Sequence, residues 1–249
     1  MLNIKNLIIA SIIFFVFLLP NNLYAQNNLI LKHPGTLFVC SYSEFEPISH
    51  GEGKGYEADL LRAIAKKWGV NIKFIPNNTY EGLWLLPSNK GSICDVAIGG
   101  ITPSADRIKA GAMFSSVTKT FNQSLLVRKD DFTSGKIISY ESFKNTKFKI
   151  GVVPGTTGEK YAYLRAKEAN LPDSVIQQYK SETELLPELI NGNIAAIARG
   201  EIGNKHQEAK NPKLITIALR NFNEGFAIAV DRNNALLLNL LNQALRDFK

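Results

Sequence analysis

The feature that most constrains the fold is an alternation of strand-like and helix-like segments that occurs twice along the chain. The order strand, helix, strand is read over 37–40, 56–68 and 95–101, and again over 147–153, 158–168 and 194–198. Alternation of this kind predicts largely parallel sheets with helices on both faces. No low-complexity stretch separates the two blocks. We therefore predict an α/β protein built from two units joined by ordered strands.

The first 25 residues have the pattern of a secretory signal peptide. Lys5 precedes an almost unbroken apolar run over 7–20, and Ala25 stands before Gln26. A charged start, a short apolar run and a small residue at the end are typical of a cleaved leader. The run is shorter than the roughly 20 residues that cross a bilayer, although a retained anchor is the alternative. We predict cleavage after Ala25 and a periplasmic protein.

The charge of the chain does not indicate a nucleic-acid partner. The formal net charge is +7, but the lysines are scattered and form no basic stripe interleaved with aromatic residues. The favoured interpretation is that these lysines lie on an ordinary solvated surface.

Two cysteines, Cys40 and Cys94, each adjoin an apolar, strand-like run. An exported protein can pair them in a disulfide, but buried free thiols also behave as small hydrophobic groups. Free thiols are the favoured expectation. The histidines His33, His50 and His206 show no metal-ligand spacing with either cysteine, so neither a metal nor a cofactor is predicted.

The main candidate site follows the strand over 95–98. Gly100, Thr102, Ser104 and Arg107 lie at a strand-to-helix junction, and ligands bind beyond the carboxyl ends of strands in open α/β sheets. Arg107 offers a forked cation that suits a carboxylate. The alternative is that Ser104 caps a helix and Arg107 lies on the surface.

A second group of candidates lies in loops after other strands. Thr156 and Thr157 open a helix, where free N–H groups suit an anion, or they are simply helix caps. Tyr42, Phe45 and Tyr80 follow strand ends and can form the walls of a ligand pocket. Each of these aromatic residues can equally belong to the core.

Sequence signatures of common enzymes are absent. The chain has no G-x-S-x-G elbow, no phosphate-binding G-x-x-x-x-G-K-[ST] and no H-E-x-x-H. We therefore expect a binding protein with no catalytic residues.

A series of motifs in the right order resembles the periplasmic amino-acid-binding proteins of ABC transporters, the family 3 solute-binding proteins with the type II periplasmic-binding fold. The matching stretches lie at 35–39, 46–48, 55–60, 95–107, 114–115, 149–159 and 224–230. The resemblance implies a two-lobed Venus-flytrap fold. Each lobe would be a mainly parallel sheet flanked by helices, and two crossing strands would join the lobes. The implied boundaries are 26–128 with 222–249 for lobe 1, and 129–221 for lobe 2.

The resemblance also implies roles for individual residues. Arg107 would grip the ligand's α-carboxylate, helped by Thr102 and the Thr157 region, and the Gly100 carbonyl would accept from the α-amine. Members of the family usually carry an Asp near the position of Gly200, which is missing here. Glu201, one place later, is the candidate substitute; the alternative is that the amine is not bound in the usual way.

The implied function is capture of a small carboxylate-bearing ligand, such as an amino acid, by lobe closure. The expected partner is an inner-membrane ABC permease, and the expected state is a monomer. One alternative is a ligand-sensing or accessory module on the same fold. Another is an enzyme similar to cyclohexadienyl dehydratases, which the stretch Gly155-Thr156-Thr157-Gly158-Glu159-Lys160 resembles. The identity of the ligand is not predicted.

Overall fold

The computed structural model describes residues 29–219 and 223–248, so the predicted signal peptide lies outside the described residues. In chain order the strands are β1 (Thr36–Tyr42), β2 (Glu44–Phe45), β3 (Ser49–His50), β4 (Asn71–Asn77), β5 (Val96–Ile98), β6 (Met113–Phe114), β7 (Lys119–Phe121), β8 (Gln123–Arg128), β9 (Ile150–Val152), β10 (Ile176–Gln178), β11 (Ala196–Gly200), β12 (Leu214–Ala218), β13 (Glu224–Phe226) and β14 (Ala229–Val230).

The α-helices are α1 (Tyr56–Trp68), α2 (Ala105–Lys109), α3 (Lys129–Thr133), α4 (Thr157–Glu168), α5 (Glu182–Asn191), α6 (Glu201–Lys210) and α7 (Ala235–Arg246). Three short 3-10 helices lie at Leu83–Ser88, Tyr140–Phe143 and Asp173–Val175. Among the described residues, no helix is both long and apolar enough to span a bilayer.

The first lobe is built on a five-stranded sheet in the order β4-β1-β5-β14-β6. Strand β1 pairs in parallel with β4 and β5, while β14 pairs antiparallel with β5 and β6. Helix α1 covers this sheet with Leu61 and Ile64, which are fully buried against Val39 and Leu241. The apolar residues of α1 recur at helical spacing, so one face of the helix is buried against the sheet.

The second lobe repeats this plan with the order β10-β9-β11-β8-β12. Strand β9 is parallel to β10 and β11, and β8 is antiparallel to β11 and β12. Each sheet thus holds two parallel and two antiparallel pairings. The α/β fold with two lobes is confirmed, but the sheets are mixed rather than mainly parallel, because in each sheet one strand, β14 or β8, runs antiparallel to both of its neighbours.

Two strands cross between the lobes, as predicted. Strands β7 and β13 pair antiparallel, with Phe121 opposite Glu224 and Lys119 opposite Phe226. Strand β8, which follows β7, lies in the second sheet. The predicted boundary at Arg128 is therefore wrong for 123–128, because β8 lies in the second sheet, where it hydrogen-bonds to β11 and β12.

Helix α6 was not predicted. Its sequence is mostly polar, and its buried positions are Gly203 and Asn204 rather than large apolar residues. Asn204 is fully buried and donates to the hydroxyl of Ser124 at 2.8 Å. A helix that packs through a small residue and a buried amide carries no hydrophobic periodicity for a sequence pattern to reveal.

Cys40 and Cys94 form a disulfide, with their Cα atoms 5.6 Å apart. Cys40 lies on β1 and pairs in register with Ala97 of β5, so the chain just before β5 runs close to Cys40. This separation is in the range that a disulfide requires. The expectation of free thiols is therefore wrong. Strand pairing brought the two residues together, and sequence patterns do not show that pairing.

Candidate functional site

A narrow cleft lies where the two lobes meet. It is lined by loops after strand ends and by the crossing strands, through Tyr42, Phe45, Tyr80, Gly100, Phe121, Thr156, Thr157, Gly158, Glu182, Arg199, Gly200 and Phe226. The centre of a water molecule can occupy about 30 Å³ of this space, room for about two waters. Entry of a larger ligand therefore requires the lobes to move apart.

Aromatic side chains form the walls of the cleft. Tyr42 meets Tyr80 edge to face at 5.2 Å between ring centroids, and Phe45 meets Phe226 at 5.9 Å. Phe121 stacks on Phe226 at 4.1 Å. Tyr42, Phe45 and Tyr80 thus lie where the sequence placed them, and they are buried as well as lining the cleft. Phe121 and Phe226 were missed because the crossing strands were not recognised as site elements.

The loop Gly99-Gly100 forms one edge of the cleft. Gly100 has φ +66°, and a Cβ there would lie 2.6 Å from the Phe45 ring, so the loop needs glycine. The fully buried carboxylate of Glu57 accepts both Gly99 N–H and Gly100 N–H through Oε2 at 2.9 Å. Burial raises the pKa of Glu57 to about 7, although these two hydrogen bonds oppose the shift.

The Gly100 carbonyl, expected to accept from a ligand amine, accepts the hydroxyl of Tyr80 at 3.0 Å. Burial raises the pKa of that hydroxyl, so Tyr80 is a neutral donor. A carbonyl has two lone pairs, so the Gly100 oxygen retains capacity for one further donor.

Arg107 lies between the lobes and is 6% exposed. Its Nη1 donates to the Thr102 carbonyl at 2.6 Å, and its Nη2 donates to the Gly155 carbonyl of the second lobe at 2.7 Å. The guanidinium also lies 4.1 Å from the ring centroid of Trp84 and 5.6 Å from that of Tyr80. Stacking on aromatic rings orients a guanidinium without satisfying its hydrogen bonds.

The hydroxyls of the predicted site include two helix caps. Ser104 Oγ accepts Arg107 N–H at 3.3 Å at the start of α2, and Thr156 Oγ1 accepts Glu159 N–H at 3.1 Å at the start of α4. Thr157 Oγ1 accepts from the Gln123 amide at 3.0 Å. The capping interpretation therefore holds for Ser104 and Thr156. Thr156 both caps α4 and lines the cleft.

Thr102, Ser104 and Thr157 also line a second opening of about 300 Å³. Lys160 and Glu224 are the charged residues that line this opening. The structure thus places Thr102 and Ser104 beside Arg107 but outside the aromatic cleft.

Sequence reasoning missed a buried ion pair in the cleft wall. Arg199, at the end of β11, donates from Nη1 to Glu182 Oε2 at 2.6 Å, and both side chains are less than 10% exposed. Burial raises the pKa of Glu182, an effect that Arg199 opposes. The signal in the sequence was a lone arginine within an apolar strand, Ile197-Ala198-Arg199, which is unusual for a solvated residue.

Glu201, the predicted substitute for the missing acid, does not line the cleft. Its carboxylate pairs with Lys205 and accepts from the Asn122 amide at 3.4 Å. Gly200 itself does line the cleft. The structure therefore does not bring Glu201 to the other candidate residues.

A larger side cavity of about 430 Å³ adjoins the cleft. Glu182 and Arg199 line both spaces, so their ion pair forms the wall between them. Glu44 also lines the side cavity. It accepts from Thr183 N–H at 3.3 Å and from Thr183 Oγ1 at 3.0 Å, which joins the first lobe to the start of α5.

A further contact between the lobes is the ion pair of Lys160 with Asp106 at 2.8 Å. Within the ranges that the structure covers, no cluster of three or more His, Cys, Asp or Glu side chains could hold a metal ion.

Two lobes that meet over an aromatic cleft, with a buried arginine bonded to both, define a protein that encloses a small solute. The chain belongs to the bacterial extracellular solute-binding proteins, family 3, because the model of that family matches residues 37–249.

Individual relatives agree with this assignment. A probable histidine-binding protein of Neisseria gonorrhoeae is 28% identical over 223 residues, which is 86% of this chain and 78% of that protein. The arginine-bound form of a truncated ArgBP from T. maritima is 28% identical with a TM-score of 0.73, and the match covers 88% of this chain and 98% of the truncated one. An ancestral amino acid-binding protein, a precursor of cyclohexadienyl dehydratase, is 28% identical with a TM-score of 0.72, covering 86% and 89%.

Proposed function

We propose that this protein captures an amino acid or a closely related carboxylate in the periplasm and delivers it to an ABC-type permease in the inner membrane. It would be exported with cleavage after Ala25 and act as a monomer. The similarity to histidine- and arginine-binding proteins supports the class of ligand. The observation that carries the proposal is the position of Arg107, whose guanidinium is buried between the lobes and donates to a carbonyl of each.

The proposed mechanism is a shift between open and closed arrangements of the lobes. A carboxylate at Arg107 would take over donors that now bond to the carbonyls of Thr102 and Gly155. A hydrogen bond to a charged group contributes about 1.5–3 kcal/mol. Because such contacts form only when both lobes surround the ligand, they favour the closed arrangement.

The test is calorimetry with the variant Arg107→Ala and a panel of amino acids. We expect the wild type to bind at least one of them and the variant to show no measurable binding, while its circular dichroism spectrum stays unchanged. Arg62→Ala is the matched control, since Arg62 lies on α1 and bonds to Asp59 at 2.9 Å. If Arg107→Ala binds as tightly as the wild type, the assignment of the carboxylate site is wrong.

We propose no catalytic role for the cleft. A dehydratase needs an acid or base free to transfer a proton, and Glu182, a carboxylate lining the cleft, is hydrogen-bonded to Arg199. Incubation of the purified protein with prephenate and with arogenate tests this directly. Turnover of either compound would replace the binding function with an enzymatic one.

A further inference from the structure

Two of the three nitrogen atoms of the Arg199 guanidinium donate hydrogen bonds to buried side chains. Its Nε donates to Asn204 Oδ1 at 3.1 Å and its Nη1 donates to Glu182 Oε2 at 2.6 Å. The Asn204 amide is itself fixed, because its Nδ2 donates to Ser124 Oγ at 2.8 Å. Arg199 therefore has one defined orientation beside the Phe45 ring, whose centroid lies 5.9 Å from its Cζ.

The third nitrogen of the guanidinium, Nη2, has no hydrogen-bond partner among the described residues. This atom is buried, although Arg199 is 8% exposed and lines the cleft. The Tyr42 hydroxyl is buried in the same cleft, and no acceptor in the described part of the chain takes its proton. A buried donor without an acceptor costs about 1–3 kcal/mol, and a ligand oxygen would remove that cost.

The two arginines of the site lie beside different walls of the cleft. Arg107 lies near the Tyr80 ring and Arg199 near the Phe45 ring. A ligand held through its carboxylate at Arg107 can therefore place its side chain toward Arg199. A side chain ending in a cation has donors but no acceptor, so it cannot accept a hydrogen bond from Nη2 of Arg199.

We propose that Arg199 is a specificity-determining residue and that the ligand's side chain ends in an acceptor oxygen, as in a carboxamide or a carboxylate. This inference rests on the proposed function, because it requires an amino acid held at Arg107. The donors that the cleft lining offers to such an oxygen are Nη2 of Arg199 and the hydroxyl of Tyr42. The ion pair with Glu182 neutralises the charge of Arg199. The ligand group that accepts from Arg199 therefore does not need to carry a negative charge.

Calorimetry on the wild type provides the first test, with glutamine, glutamate, norleucine, arginine and lysine as ligands. We expect glutamine or glutamate to bind at least about tenfold more tightly than norleucine, which lacks the oxygen, and more tightly than arginine and lysine. The ratio of glutamine to glutamate shows whether the acceptor is neutral or anionic. Binding of arginine or lysine at least as tight as that of glutamine and glutamate would overturn the inference but not the proposed function. Absence of binding by every amino acid would overturn both.

The double variant Glu182→Gln/Arg199→Met tests the role of the side chain itself. Removing both charges avoids leaving one ion buried alone, which commonly unfolds proteins. We expect the preference for glutamine or glutamate over norleucine to fall by at least about tenfold, whereas the control Arg62→Met keeps it. An unchanged preference in a folded double variant contradicts the inference. Arg199→Lys, which retains the charge but not the fork, serves if the double variant does not fold, and the same criterion applies to it.

Discussion

Replacing Glu57 with glutamine should remove a pH-dependent loss of stability that this one carboxyl imposes on the protein. Glu57 is fully buried beneath the Gly99-Gly100 loop, and its Oε2 accepts both loop N–H groups. Its Oε1 is buried with no hydrogen-bond partner among the described residues. Oε1 is thus the oxygen that can carry a proton, and a glutamine amide would imitate the protonated state.

The magnitude follows from the pKa of Glu57, which burial raises from 4.5 to about 7. A carboxyl with a raised pKa in the folded state binds its proton more tightly when folded. Its favourable contribution is complete below pH 4.5 and is lost as the pH rises through about 7. At about 1.4 kcal/mol per pH unit, the loss amounts to about 3 kcal/mol. Relative to the wild type, Glu57→Gln should gain this amount across the same interval.

The assay is urea denaturation of both proteins from about pH 4.5 to about pH 8, with the free energy of unfolding compared at each pH. The exposed Glu52 provides the control, since Glu52→Gln should run parallel to the wild type throughout. A difference between Glu57→Gln and the wild type that stays constant with pH would refute the reasoning. It would mean that Glu57 is ionised in the fold at all these pH values.

Two further predictions concern the framework of the site. Reduction of the Cys40–Cys94 disulfide, which closes a loop of sequence separation 54, should lower the free energy of unfolding by about 2–4 kcal/mol; equal urea midpoints with and without reductant would contradict this. Gly158→Ala should destabilise the second lobe by roughly 1–3 kcal/mol and weaken ligand binding, because its Cβ would lie 2.7 Å from the Ala198 carbonyl oxygen. Thermal denaturation monitored by circular dichroism measures the effect, and an unchanged Tm would show that α4 can shift without cost.

The elements that could be predicted are those whose burial follows a regular period. Helix α1 was predicted with its observed ends, Tyr56 and Trp68, since its apolar residues recur at helical spacing and Gly69 ends it. Strand β8 was likewise predicted with its observed bounds, Gln123–Arg128. Its assignment to the wrong lobe shows the limit of the method, because the period of a strand does not identify the strand it pairs with.

The candidate site likewise contains some residues that the sequence could predict and others that it could not. Tyr42, Phe45 and Tyr80 were found because ligand-binding residues of α/β folds follow strand ends, which a sequence pattern locates. Arg199 and Glu182 were not found, because they lie 17 positions apart and become partners only when β11 and the start of α5 meet. The same holds for Phe121 and Phe226, whose rings stack across the crossing strands.

Sequence alone determined that the chain is an α/β protein of two units, and it indicated several of the loops that line the cleft. These properties depend on local periodicity and on the glycines and polar residues that end each element. Tertiary structure alone decided the Cys40–Cys94 bond, the lobe that holds β8, and the ion pair in the cleft wall. Each of these depends on which distant segments lie side by side, and that is set by packing across the whole chain rather than by any local pattern.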